Sequence, residues 1–306
     1  MRDIGEKTYL SLLGILFFIT LGIFEAECGE KTNPDNIPKL VSVDWLAENL
    51  GVEDIVVIDL SKTPSYNKSH IPGSLSLNVE SFRGNIEGFG PLLLPSDILA
   101  KHYSLMGIQA SDMIVFVYGD KIYDATLASM SCQRLGHESF CILDGGFNKW
   151  VERGMVVDQR LATAQQSEYK ACDTEEVTVD YQEVFSALDN PQIVIIDVRP
   201  SDYYNAVKSD EARAGHIPGA VNRPIGEDFD ESLGYPVFKR TKQLSSEYSD
   251  IIPSKDSTVI VHCRTGLQAS QTFFVLKYLL GYPKVLWYDG SWSQWAAVEQ
   301  LPIEKP

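Results

Sequence analysis

The chain has 306 residues, enough for two domains of ordinary size, and its 44% hydrophobic and 22% charged content is that of a globular protein. A formal charge of -16 argues against nucleic acid and anionic membrane surfaces as partners, while leaving room for a locally basic pocket. The five cysteines include no CxxC pair and the five histidines are scattered singly, which gives neither a disulfide framework nor a metal site, and the reading of the chain as a whole calls for no organic cofactor.

Tyr9 to Phe24 is an apolar run of sixteen residues, short for a membrane span. Ala26 offers a small residue near a cleavage point, and Arg2 and Lys7 precede the run, diluted by Asp3 and Glu6. Residues 1–28 therefore read as a secretory signal, with an uncleaved single anchor as the next possibility. Either places the folded part outside the cytoplasm, periplasmic or secreted, with membrane contact only if the segment is uncleaved. Cys28 follows Ala26 and Glu27, and Glu27 argues against a lipidation site.

A first unit spans about 38–156. Val52 to Leu60 holds the strand IVVIDL, and a loop ending in SHIPGSLSL follows. Met113 to Tyr118 is a second strand, Asp124 to Leu135 a helix, and Ser139 to Leu143 a strand before Asp144-Gly145-Gly146. Residues 157–176 have no strong period and read as a linker. A second unit, 177–306, repeats the order: QIVIIDV from Gln192 to Val198, then GHIPGAVN, a strand into Cys263, a helix, and YDGSW.

The register is constant. Gly281, Asp289 and Trp295 each stand 145 residues after Gly136, Asp144 and Trp150, and His216 and Gly219 stand 146 after His70 and Gly73. That is an internal duplication of one unit. Strands separated by helices imply an α/β fold, two tandem domains each with a mainly parallel sheet flanked by helices.

Thr258 to Leu280 carries the chemistry. Val259-Ile260-Val261 is a buried strand, Phe273 to Leu280 has helical spacing, and the loop from Cys263 to Gln268 lies between them. A cysteine at a strand end, on a tight loop opening a helix, meets unpaired backbone N–H groups. Those donors and the helix dipole favour a thiolate and hold an anion, so Cys263 is the expected nucleophile. The first unit is a control: 145 residues before Cys263 stands Tyr118, and GDKIYD replaces RTGLQA. Ser61 likewise stands near the place of Arg199, two residues after the strand aspartate. The duplicate has the scaffold without the nucleophile.

Asp197-Val198-Arg199, Gly215-His216-Ile217-Pro218-Gly219-Ala220, Cys263-Arg264-Thr265-Gly266 and Asp289-Gly290-Ser291-Trp292 together resemble the rhodanese family, specifically its tandem-domain sulfurtransferases. Ile58-Asp59-Leu60, His70-Ile71-Pro72-Gly73 and Asp144-Gly145-Gly146 echo them. The resemblance runs from about residue 38 to the end. It implies transfer of a sulfane sulfur from a small donor, thiosulfate or 3-mercaptopyruvate, to cyanide or a thiol, through a persulfide on Cys263. It also implies that Arg264, Thr265, Gly266, Leu267, Gln268 and Ala269 cradle that persulfide and that Arg199 binds the donor's anionic end. Thiosulfate-preferring members look like Cys-Arg-Lys-Gly and mercaptopyruvate enzymes like Cys-Gly-Ser-Gly. Arg264 matches the first and Thr265 echoes the hydroxyl of the second, so thiosulfate is the expected donor and a monomer the expected state.

Arg199 could instead pair with Asp197 or Asp202, and Arg213 reads as a solvated surface residue. His216, Asp197 and Asp289 read as structural, because His70, Asp59 and Asp144 mirror them. His262 points away from Cys263 by strand alternation. Outside the cytoplasm Cys132 and Cys141 could pair. A phosphatase on a related scaffold would need Arg where Ala269 stands. A binding module without turnover is the remaining alternative, and the joint presence of Cys263, Arg264, Gly266 and Arg199 argues against it.

Overall fold

The computed structural model describes residues 37–172, 174 and 177–306. The apolar run from Tyr9 to Phe24 and the expected signal or anchor lie outside the described residues. Among the described residues, no helix is long and apolar enough to cross a membrane.

The first unit runs β1 (Leu40–Val41), α1 (Val43–Asn49), β2 (Ile55–Asp59), α2 (Thr63–Lys68), β3 (Leu75–Ser76), β4 (Arg83–Ile86), β5 (Phe89–Leu93), α3 (Ser96–Leu105), β6 (Met113–Val117), α4 (Ile122–Leu135), β7 (Phe140–Leu143) and α5 (Gly146–Glu152). The second runs β8 (Thr178–Val179), α6 (Tyr181–Ala187), β9 (Ile193–Asp197), α7 (Ser201–Tyr204), β10 (Val221–Asn222), β11 (Phe229–Asp230), β12 (Val237–Phe238), α8 (Thr241–Ser249), β13 (Thr258–His262), α9 (Ala269–Phe274), β14 (Val285–Tyr288) and α10 (Ser291–Ala297).

Each unit has a five-stranded sheet, ordered β3-β2-β6-β7-β1 in the first and β10-β9-β13-β14-β8 in the second. All these pairings are parallel, so the duplication seen in the sequence is a duplication of topology. Helices cover both faces, which is why every residue of β6 is buried and why it reads as one unbroken apolar run. The predicted helix after Cys263 holds, with a difference: α9 passes into a π-helical turn from Val275 to Leu279. The linker packs along the first unit, where Asp158 pairs with His70 and Ser167 donates to the Ser104 carbonyl.

The two units share one core. The equivalent helices α4 and α9 face each other, with the Thr126 and Ser270 hydroxyls 2.8 Å apart, and one apolar cluster runs from Phe116 and Leu127 through to Phe273 and Val261. The short hairpins are exchanged. β4–β5 of the first unit lies on the Cys263 loop, where Leu93 N–H donates to Asp289 Oδ2 at 2.6 Å. In the second, the β11–β12 hairpin lies over Tyr118, whose hydroxyl donates to the Pro236 carbonyl at 2.8 Å.

Cys132 and Cys141 are free and buried, not paired. They belong to separate apolar clusters, and Cys132 Sγ is 3.1 Å from the Tyr103 hydroxyl. Burial pushes both thiols up to about 12.

Candidate active site

Cys263 follows the last residue of β13, at the carboxyl edge of the parallel sheet, and is buried. Backbone N–H groups of Ala269, Thr265 and Gln268 are directed at its sulfur. Gly266 has a φ of +78°, and a Cβ there would come within 2.3 Å of Asp289 Oδ1, so the turn's conformation and its closeness to Asp289 both demand glycine. Leu267 packs, partly buried, against the shared apolar core, of which Cys263 is itself a member.

A second layer fixes the loop. The Ser291 hydroxyl accepts from the N–H of Cys263 at 3.1 Å and of Gly266 at 3.0 Å, and donates to the Tyr288 carbonyl at 2.7 Å. Trp287 donates to the Gly266 carbonyl at 3.0 Å, and Trp292 N–H to that of Cys263 at 3.0 Å. Ser291 holds a φ of +52°, where the first unit has Gly146 at +55°. A Cβ on Gly146 would sit 2.2 Å from the Tyr118 carbonyl oxygen and 2.8 Å from its ring, so the first unit requires glycine there.

Burial pushes the Cys263 thiol up, against the pull of the three N–H groups and of the charge on Arg83. The strand-end position predicts a favoured thiolate, whereas desolvation outweighs the donors. Arg83, on β4 of the first unit, is the residue that sequence reasoning missed. It is buried, and its Nη2 donates to the Thr265 carbonyl and, at 2.7 Å, to that of Pro91. The nearest sequence signal was the hairpin proline pair, Pro91 and Pro236, spaced by the same 145 residues.

The other expected residues fall in different places. Arg199 is buried, gripping Asp197 through Nε at 3.0 Å and Nη2 at 2.6 Å, with Nη2 also 2.8 Å from the Gly215 carbonyl. Its guanidinium stacks on Trp292 at 4.5 Å. The pairing with Asp197 is thus the arrangement present, in place of an open anion-binding guanidinium. Arg264 is half exposed at the rim, its Nε 2.9 Å from Glu211 Oε1 and 3.7 Å from Asp210 Oδ2. Thr265 contributes its N–H to the sulfur and its carbonyl to Arg83, and Gln268 and Ala269 contribute N–H groups at the start of α9.

Arg213 corrects its expectation as a solvated residue. It donates to the carbonyls of Trp295, Ala296, Val298 and Leu301 and so closes the end of α10. His216 stacks on Tyr204 at 3.7 Å and contacts its carbonyl, as His70 stacks on Tyr66 at 3.9 Å, so both are structural. His262 is buried, with Nε2 3.8 Å from Asp197 Oδ2, and burial lowers its pKa. Asp289 is buried, and burial pushes its carboxyl up to about 6 against the Leu93 N–H and the charges of Arg83 and Arg134. Among the described residues no cluster of His, Cys, Asp and Glu could hold a metal ion.

A strand-end cysteine in a cradle of N–H groups, beside a second unit without one, defines a tandem α/β protein with a single candidate thiol nucleophile. A rhodanese-like domain matches residues 42–153 and again 180–298, and the chain belongs to the rhodanese family. A protein of Synechococcus elongatus, provisionally named a thiosulfate sulfurtransferase, is 29% identical over 312 residues, covering 98% of this chain and 95% of its own. The sulfur carrier protein TtuD of Thermus thermophilus is 30% identical, over 87% of this chain and 96% of its own. The structure of SseA from Escherichia coli, a 3-mercaptopyruvate sulfurtransferase, superposes with a TM-score of 0.75 at 26% identity, covering 84% of this chain and all of that one. The chain is thus a sulfurtransferase of this family.

Proposed function

We propose that this protein moves a sulfane sulfur from thiosulfate, or less readily 3-mercaptopyruvate, to cyanide or a thiol through a persulfide on Cys263. The observation that carries the reading is the convergence of the Thr265, Gln268 and Ala269 N–H groups on Cys263 Sγ, with the Arg83 charge in reach. Donors fixed around the sulfur stabilise an anionic persulfide without reorganising at the moment of reaction.

In the first half-reaction Cys263 gives up its proton to solvent, and the resulting thiolate attacks the outer sulfur of thiosulfate. An Sγ–S bond forms, the donor's S–S bond breaks, and sulfite leaves with the electron pair. In the second, cyanide attacks the outer persulfide sulfur, a C–S bond forms, the Sγ–S bond breaks, and thiocyanate departs as the thiolate returns. No proton is consumed in either step, and the two halves make ordinary ping-pong covalent catalysis.

Thiosulfate is favoured because Arg264 adds a cation at the rim and Arg83 one beneath the loop, which suits a dianion better than a carboxylate monoanion. Steady-state thiocyanate formation tests the donor. A higher kcat/KM for thiosulfate than for 3-mercaptopyruvate supports the assignment, the reverse order moves the donor to mercaptopyruvate, and no thiocyanate from either removes the reading. We also place the activity outside the cytoplasm, on the strength of the run from Tyr9 to Phe24. Recovery of the protein only from a cytoplasmic fraction would refute that.

A further inference from the structure

The first unit holds a cavity of about 420 Å³ at the carboxyl ends of β2 and β6, beside the start of α4 and α5. The size is within the roughly 300–1,000 Å³ of small-molecule sites. Its origin is a pair of substitutions between the repeats. Asp59 and Asp197 end equivalent strands, and each accepts the N–H two residues on, from Ser61 at 2.8 Å and from Arg199 at 3.0 Å. Phe147 and Trp292 are likewise equivalent, donating N–H to the carbonyls of Tyr118 and Cys263 at 2.8 and 3.0 Å. Where the second unit stacks Arg199 on Trp292, the first has Ser61 and Phe147, two smaller side chains, and both line the cavity.

The electrostatics change with the volume. Asp197 is neutralised by the Arg199 guanidinium at 2.6 Å. Asp59 is fully buried, and its Oδ2 makes no hydrogen bond of ordinary geometry among the described residues, nor does the Ser61 hydroxyl. Burial pushes the Asp59 carboxyl up, with the Ser61 groups and His70 acting the other way. The first unit thus has the carboxylate without the arginine that pairs with it in the second. At the mouth stand Lys62, Lys68 and Lys121 together with the exposed Asp120, and Asp124 lies half-buried among them.

We propose that this cavity is a second binding site, for a small zwitterion that places a guanidinium or ammonium toward Ser61 and Asp59 and a carboxylate among the lysines. The cationic end takes the place that Arg199 fills in the other repeat, and a carboxylate outside is held by point charges that suit it.

Free L-arginine is the probe, with agmatine, which lacks the carboxylate, as its comparator. Amide and side-chain NMR shifts on titration of the whole protein are expected at Ser61, Gly119 and Asn148, with agmatine weaker by about tenfold, the scale of one lost charge contact. Ser61→Arg supplies the cation in place and is expected to abolish the shifts, while persulfide formation on Cys263 shows that the variant is folded. Lys121→Gln, at the exposed mouth, keeps the test open if Ser61→Arg does not fold, and is expected to weaken L-arginine several-fold and leave agmatine unchanged. The proposal is overturned if L-arginine produces no shifts at these residues. Equal affinity for agmatine, or L-arginine binding unchanged in the variants that fold, also overturns it.

Discussion

Arg83 of the first unit donates a hydrogen bond to the carbonyl of Thr265 in the cysteine loop of the second. The unit without a nucleophile thus supplies a buried cation to the unit that has one. Its charge opposes the desolvation that pushes the Cys263 thiol up. Arg83→Gln is therefore expected to raise the apparent pKa of Cys263 and to slow its alkylation at neutral pH. Arg83→Lys should recover part of the loss. The pH dependence of alkylation by iodoacetamide checks this, and an unchanged profile in Arg83→Gln would mean that Arg83 only holds the hairpin.

Ser291 is a positive-φ serine whose hydroxyl accepts from two loop N–H groups. Ser291→Ala keeps the Cβ and the backbone strain but leaves both donors unmatched, so a loss of about 1–3 kcal/mol in stability is expected. The persulfide-forming rate should fall with it. Ser291→Gly relieves the φ but removes the same acceptor, so its rate should fall as well. Denaturant unfolding and stopped-flow persulfide formation separate the two effects, and a full rate in both variants would dismiss the hydroxyl's role.

Asp289 gives a pH signature. Unfolded, its carboxyl titrates near 3.8, and folded near 6, so the folded protein binds the extra proton between those values. Stability from this group is greatest below about pH 4 and falls as pH rises to about 6, by something on the order of 3 kcal/mol. Asp289→Asn keeps an acceptor for the Leu93 N–H and should flatten that decline. Urea melts across the range check it; a slope equal to that of the unsubstituted protein would refute the shift.

Much of this was legible in the sequence. The constant 145-residue offset, the apolar strands and the loop from Cys263 to Ala269 are local patterns, and parallel sheets make such patterns plain because both faces are buried. Arg83 was not legible because 182 residues separate it from Thr265, and only the docking of one unit's hairpin on the other brings them together. Nor was the state of the arginines. Arg199 sits two residues after a buried carboxylate that claims its guanidinium, and Arg264 meets Glu211 through a loop whose path no periodicity announces.

That last contact bears on the donor. Glu211 and Asp210 compete with an anionic donor for Arg264 at the exposed rim. Glu211→Gln is expected to raise kcat/KM for thiosulfate up to about fivefold, the range of an exposed pair, and less at high salt. Steady-state assays at two ionic strengths decide it, and an unchanged or lower value would detach Arg264 from donor capture.

The central claim is the persulfide on Cys263, and intact mass of the reduced protein after incubation with thiosulfate tests it most directly. The account predicts a gain of one sulfur atom, lost on adding cyanide and absent in Cys263→Ser. No gain in the unsubstituted protein with thiosulfate or with 3-mercaptopyruvate, or an equal gain in Cys263→Ser, would contradict it.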